Sequence, residues 1–200
     1  MKIKVSAGII GAVLMLSASQ SWAVTLKLSH TQDKSHLVHK AMEFFAKKSK
    51  EYSNGDITIR IYPNGTLGTQ RETMELIRSG AIPLVKTNAA EMEAFENSYK
   101  LFSLPYLFRD RDHYYQVMQG DIGRKILDST KSKGYFGLTF YDGGARSFYG
   151  NKPVLKPDDL KGMKVRVQPS PGAVEMIKVM GGNPTPLDYG ELYTALQQGV

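Results

Sequence analysis

Gly162-Met163-Lys164-Val165-Arg166-Val167-Gln168-Pro169-Ser170-Pro171 is the junction of a strand and a helix, and it decides the fold. Met163, Val165 and Val167 alternate with Lys164, Arg166 and Gln168, the period-two pattern of a half-buried strand. Ser170 is a natural N-cap, Pro171 suits the first helical turn, and Gly181-Gly182 stops the helix. Arg166 falls at the strand's carboxyl end, where open α/β sheets bind ligands beside the next helix N-terminus. Its planar fork matches a carboxylate bidentately, which a lysine ammonium cannot do. The helix start at Ser170 is expected to lend its positive pole to that anion site.

Toward the N-terminus the strand–helix alternation recurs. Val24, Leu26 and Leu28 alternate into a strand; Leu37, Ala41, Met42, Phe44 and Phe45 then take helical spacing, and Asn54-Gly55 ends that helix. Ile57, Ile59 and Ile61 give a second strand closed by Pro63. Residues 66–80 predict a second helix, and residues 82–86 a short strand that Pro83 marks as a beginning or an edge. Such alternation implies a mainly parallel sheet. Residues 88–133 read as mostly helical, interrupted at Leu104-Pro105-Tyr106-Leu107-Phe108, and residues 135–141 predict an apolar strand. After Gly143-Gly144 the pattern begins afresh, with strands expected near residues 147–149 and over 163–167, so a boundary between two lobes is placed near Gly143. Residues 189–198 predict a last helix. The sequence stops at Val200 just as that helix needs its cap, so it reads as truncated, with too few strands in the second unit for a sheet covered on both faces.

Composition excludes several classes. With 19 Gly and 9 Pro among 200 residues, the chain lies well below the roughly 25–30% Gly plus Pro of low-complexity disorder, and 42% hydrophobic residues supply a core. Lys2 and Lys4 precede an apolar run from Val5 to Ala18 and a small-x-small site at Ser21-Trp22-Ala23, the pattern of a cleavable secretory leader. That run is shorter than the ~20 apolar residues that cross a bilayer, so no membrane span is expected. Without cysteine, neither a lipid-anchored product nor a disulfide scaffold is expected. The 26 Lys and Arg against 19 Asp and Glu are spread along the chain, which fits small anionic ligands better than nucleic acid.

Catalytic signatures are absent: no G-x-S-x-G, H-E-x-x-H, P-loop or G-x-G-x-x-G occurs, and no thiol is available. His36 and His39 lie three apart but lack an obvious carboxylate as third ligand, so no metal is expected. Glu72, Glu75, Glu91 and Glu93 have the spacing of exposed helix charges as much as of acid/base pairs. Arg146, just after the glycine turn, is a second cation placed to face a cleft. Tyr141, Phe148 and Tyr149 beside it read as core rather than ligand platform.

Three stretches carry a resemblance: Arg146-Ser147-Phe148-Tyr149; Asp159-Leu160-Lys161-Gly162-Met163-Lys164-Val165-Arg166-Val167; and Gly182-Asn183-Pro184-Thr185-Pro186, followed by Gly190-Glu191-Leu192-Tyr193-Thr194-Ala195-Leu196-Gln197. Together they resemble the solute-binding receptors of TRAP transporters, the DctP family. Tyr62-Pro63-Asn64-Gly65-Thr66-Leu67-Gly68 and Leu104-Pro105-Tyr106-Leu107-Phe108 extend the likeness from Leu26 to the C-terminus.

The resemblance implies an α/β, two-lobed fold of the periplasmic-binding-protein type, each lobe a mainly parallel sheet flanked by helices. Residues 1–23 would be the signal peptide, 24–143 the first lobe and 144–200 part of the second. It also implies a monomeric periplasmic receptor without cofactor, which closes over an organic acid and delivers it to a sodium-driven membrane permease, performing no chemistry. Arg166 maps to the family's carboxylate salt bridge and Arg146 to its second arginine. His30, Thr31, Gln70, Asn88 and Glu91 map to the first-lobe contacts, and Tyr189 to an aromatic wall. Neutral Gln70 and Asn88 stand where sialic-acid receptors tend to carry acids, which argues against that ligand. Gly144-Ala145-Arg146-Ser147-Phe148-Tyr149 with Thr185-Pro186-Leu187-Asp188-Tyr189-Gly190-Glu191 resembles receptors for sugar acids such as hexuronates. A C4-dicarboxylate is the alternative within the family. An exported sugar-acid enzyme with Glu72 or Glu91 as base is the alternative from another class.

Overall fold

The computed structural model describes residues 23–200; the expected leader, Ala23 apart, lies outside the described residues. Three parallel strands, β1 (Val24–Ser29), β2 (Ile57–Tyr62) and β3 (Leu84–Val85), stand in the order β2-β1-β3. Helix α1 (Leu37–Tyr52) carries the chain from β1 to β2, and α2 (Gln70–Arg78) carries it from β2 past β1 to β3. Leu28 is in register with Ile61 on one side and Leu84 on the other, so all three strands finish side by side. The loops that follow are stitched together there: Gly65 N donates to His30 O at 3.1 Å, Asn64 N to Gln32 O at 2.9 Å and Lys86 N to Ser29 O at 2.9 Å.

Helix α2 starts at that rim because Thr69 and Glu72 form a reciprocal capping box. Gly68 takes φ +117°, and a Cβ there would stand 2.9 Å from Glu72 Oε2, so only glycine admits the capping carboxylate. Short helices follow: α3 (Ala89–Met92), a 3₁₀ segment (Asn97–Ser103), α4 (Arg111–Met118) and α5 (Asp121–Ser129). Met74, Met92, Tyr99, Ile126 and Tyr135 form their common core, with Phe95, Phe102 and Phe140 packed against it. Each such side chain contributes roughly 1.5–3 kcal/mol on burial.

The second sheet is a parallel pair, β4 (Lys164–Val167) and β5 (Asn183–Pro186), joined by α6 (Pro171–Val179), and the chain closes with α7 (Leu192–Gln197). Ser170 caps α6 by accepting from Ala173 N at 3.0 Å, and Val167, Ala173 and Ile177 make the local core.

Two expected strands do not form. Residues 135–141 carry no strand because no strand among the described residues lies alongside to complete a ladder. Tyr135 and Phe140 are instead drawn into the first core, and Gly137 sits so close that a Cβ would meet Leu127 Cδ2 at 2.5 Å. Residues 147–149 are likewise unpaired, and Tyr149 is 94% exposed. Conversely, β5 forms over Asn183-Pro184-Thr185-Pro186, where the sequence pattern placed no strand. It forms because Asn183 N donates to Met163 O at 2.8 Å and Leu187 N to Val167 O at 3.1 Å, while the intervening prolines need no partner on the outer edge.

Candidate functional site

The rim at the ends of β1–β3 faces the turn after β5 across a cleft of about 290 Å³, lined by Thr31, Gly68, Gln70 and Glu72 on one side and Asp188 and Tyr189 on the other. A second depression lies at the end of α1, between Lys47, Lys50 and Asn54. It is built from one helix end and its turn, and holds none of the groups discussed below.

Arg166 is half-buried on β4. Its Nε and Nη2 donate to Leu187 O at 3.1 and 2.7 Å, a carbonyl fixed by the last rung of the β4–β5 ladder. Three of its five N–H groups remain without a protein partner among the described residues. Burial lowers its pKa, while Glu91 and Asp188 pull the other way and Arg146 adds to the lowering. Arg166 is therefore neither turned into bulk solvent nor consumed by an internal ion pair.

Glu91 faces it from α3 and is 3% exposed. Burial, then Asp188, push its carboxyl up to about 7, against the pull of Arg166 and Arg71. Its oxygens have no protein hydrogen bond among the described residues and are not sealed from solvent. Asp188 is raised too, by burial first and then by Glu191 and Glu72. Tyr189, 39% exposed, borders the cleft.

Gln70 and Asn88 meet directly: Asn88 N donates to Gln70 Oε1 at 2.7 Å. Thr31 lines the same cleft. Arg146 is exposed, and its guanidinium donates to Gln168 Oε1. His30 is not brought into the cleft. At 1% exposure its ring lies beneath the rim, bonded through Nε2 to His39 Nδ1 at 2.9 Å, and burial, then His39, Lys86 and His36, push its pKa down to about 4. The His36–His39 pair is split as well, since His36 Nδ1 caps α1 by accepting from Val38 N.

The remaining glutamates are occupied. Glu72 is held in the capping box, where hydrogen bonds from Thr69 lower its pKa, and Glu75 pairs with Arg78 at 2.6 Å. Glu93 corrects an expectation: the N-terminus of α6 is not open to a ligand. The Glu93 carboxylate already sits there, accepting from Gly172 N at 2.9 Å and from the Ser103 hydroxyl. A contact across 79 residues leaves no local trace in sequence.

Lys86 is the residue that sequence reasoning passed over as part of a strand. Its ammonium donates to Asn88 Oδ1 at 2.6 Å, and burial pushes its pKa down to about 8. A charged residue ending a strand between Val85 and the Gln70–Asn88 pair was the available signal.

Residues 28–200 match the family described as DctP, bacterial extracellular solute-binding protein, family 7. A TRAP periplasmic solute-binding protein from Xanthobacter autotrophicus Py2 with bound β-D-galacturonate is 37% identical, with a TM-score of 0.83 over 87% of this chain and 58% of its own. One from Anaerococcus prevotii with bound α/β-D-glucuronate is also 37% identical, with a TM-score of 0.83 over 88% of this chain and 57% of its own. The C4-dicarboxylate-binding periplasmic protein DctP of Rhodobacter capsulatus is 30% identical over 88% of this chain and 54% of its own length. The chain thus spans little more than half the length of these proteins, and its fold is the α/β fold of TRAP periplasmic solute-binding proteins.

Proposed function

We propose, from the premise that this chain belongs to the DctP family of bacterial extracellular solute-binding proteins, that it captures a carboxylate-bearing sugar acid such as a hexuronate and hands it to a TRAP membrane permease. The observation that carries this reading is Arg166: a half-buried guanidinium with N–H groups to spare, tethered on one side to Leu187 O, next in sequence to Asp188 and Tyr189 of the cleft lining. A ligand carboxylate on that free side would gain charge-assisted hydrogen bonds in partly excluded solvent. Asn88 and Gln70 on the opposite rim, with Glu91 and Tyr189, would contact the rest of the sugar, and Arg146 would strengthen the positive potential from the surface. Residues 24–143 and 144–200 would act as two lobes closing on the ligand, with the boundary near Gly143.

The galacturonate and glucuronate held by the similar structures support a hexuronate. The Rhodobacter relative keeps a C4-dicarboxylate as the second reading. Export to the periplasm follows the family's character and the leader pattern, and among the described residues no helix is long and apolar enough to cross a membrane. The protein would work as a monomer, without cofactor, and release its ligand unaltered.

A thermal-shift panel of uronates, aldonates and dicarboxylates tests this, using the protein expressed with whatever sequence follows Val200 in its gene. At 100 times its dissociation constant a ligand stabilises by about 2.7 kcal/mol, a shift of roughly 5–10 °C for a chain of this size. No shift from any of these acids would refute the reading, and a mass change in recovered ligand would make the protein an enzyme instead.

A further inference from the structure

Two carboxamides on the rim are held in one orientation each. Lys86 can only donate, and it donates to Asn88 Oδ1 at 2.6 Å, so Asn88 presents its Nδ2 to other partners. Gln70 Oε1 accepts from Asn88 N at 2.7 Å and from Thr87 Oγ1 at 3.4 Å, which likewise leaves Gln70 Nε2 free. Neither nitrogen has a protein partner among the described residues, and neither is sealed from solvent. Lys86 keeps two further protons and has no carboxylate within ion-pair distance among the described residues. The linked trio Lys86–Asn88–Gln70 therefore offers mainly donors.

A hydroxyl can accept two hydrogen bonds from such a patch but brings no charge to Lys86 and must place its own proton elsewhere. A carboxylate, with about four lone-pair sites and a negative charge, satisfies it fully. The patch is also separate from the Arg166 anchor. The Lys86 ammonium bonds to Asn88, just after β3, and the Arg166 guanidinium to Leu187, just after β5, so the two cations stand on different elements. Burial that pushes Lys86 down to about 8 would be relieved by an arriving anion. The cleft lining also includes Asp188, an acceptor suited to hydroxyl groups.

We infer that the preferred ligand is a sugar diacid, one carboxylate on Arg166 and the other on the Lys86–Asn88–Gln70 donors. This rests on the proposed capture of a sugar acid and names its class.

Titration calorimetry with D-galactarate and D-galacturonate, on the protein with whatever sequence follows Val200 in its gene, separates the two claims. The inference expects the diacid to bind about tenfold tighter or more. In Lys86→Met that preference should collapse to about unity, and in Asn88→Asp, where a carboxylate would oppose the ligand's own, it should invert. Galacturonate binding as tight as galactarate overturns the inference and leaves the sugar-acid reading standing. A preference that survives both substitutions also overturns it. Failure of both acids to bind overturns the inference, and the sugar-acid reading falls with it when the thermal-shift panel is silent too.

Discussion

The two walls of the cleft are built differently. The wall from β1–β3 carries Lys86 and is fixed by its own bonds: Gln70 to Asn88, Asn88 to Lys86, and the 63–68 loop to the backbone of residues 30–32. The wall from β4–β5 holds the strongest charge, Arg166, on a two-stranded sheet and one carbonyl tether, with Arg146 exposed beside it. Preorganised dipoles discriminate between ligands, because a wrong group leaves a held donor unpaired, whereas a single cation gives affinity to any carboxylate. Affinity should reside on one wall and selectivity on the other.

The largest expected effect breaks the wall that holds Arg166. Arg166→Ala should weaken galacturonate binding by about 3–5 kcal/mol, a hundredfold or more in Kd by calorimetry. Arg166→Lys should recover little, because a point charge cannot hold Leu187 O and a carboxylate in one plane. If Gln70→Ala matched the Arg166→Ala loss, the division between walls would fail.

Glu91 comes next, because it lies where the walls meet. Its pKa in the folded protein, about 7, exceeds the ordinary glutamate value, so the folded state binds the extra proton and stability falls as pH rises from 4.5 to 7. Glu91→Gln lacks that loss. Between pH 4.5 and pH 8 its unfolding free energy should gain about 1–2 kcal/mol on the wild type, read by denaturant titration. His30 works in the opposite sense: its lowered pKa means stability is lost as pH falls from 6.5 to 4. The wild-type profile should therefore be flatter between pH 4.5 and 6.5 than that of Glu91→Gln, which keeps only the histidine contribution.

Smaller effects sharpen the contrast. Thr69→Ala removes the α2 cap and should cost about 1 kcal/mol of stability, loosening the β1–β3 wall. Arg146→Ala should weaken galacturonate binding by only about 0.2–1 kcal/mol, since the side chain is exposed and salt screens it. A larger loss would place Arg146 in direct contact with the ligand.

How much of this could be read from sequence depended on whether the cause was local. Alternating isoleucines gave β2, Ser170 and Pro171 gave the start of α6, and the strand period put Arg166 at a carboxyl end. Residues 135–141 have the same apolar character, yet a strand requires a neighbour to bond, and that is a property of the whole sheet. β5 was hidden because prolines exclude a central strand but not an outer edge. Lys86 and Glu93 were hidden because burial of a charge and a contact 79 residues away are decided by tertiary packing.

The most direct test of the central claim is a crystal structure of the protein, with whatever sequence follows Val200, bound to D-galacturonate. The account predicts the uronate carboxylate within hydrogen-bond distance of the Arg166 N–H groups that Leu187 leaves free. A carboxylate seated elsewhere, with Arg166 still bonded only to Leu187, would contradict it.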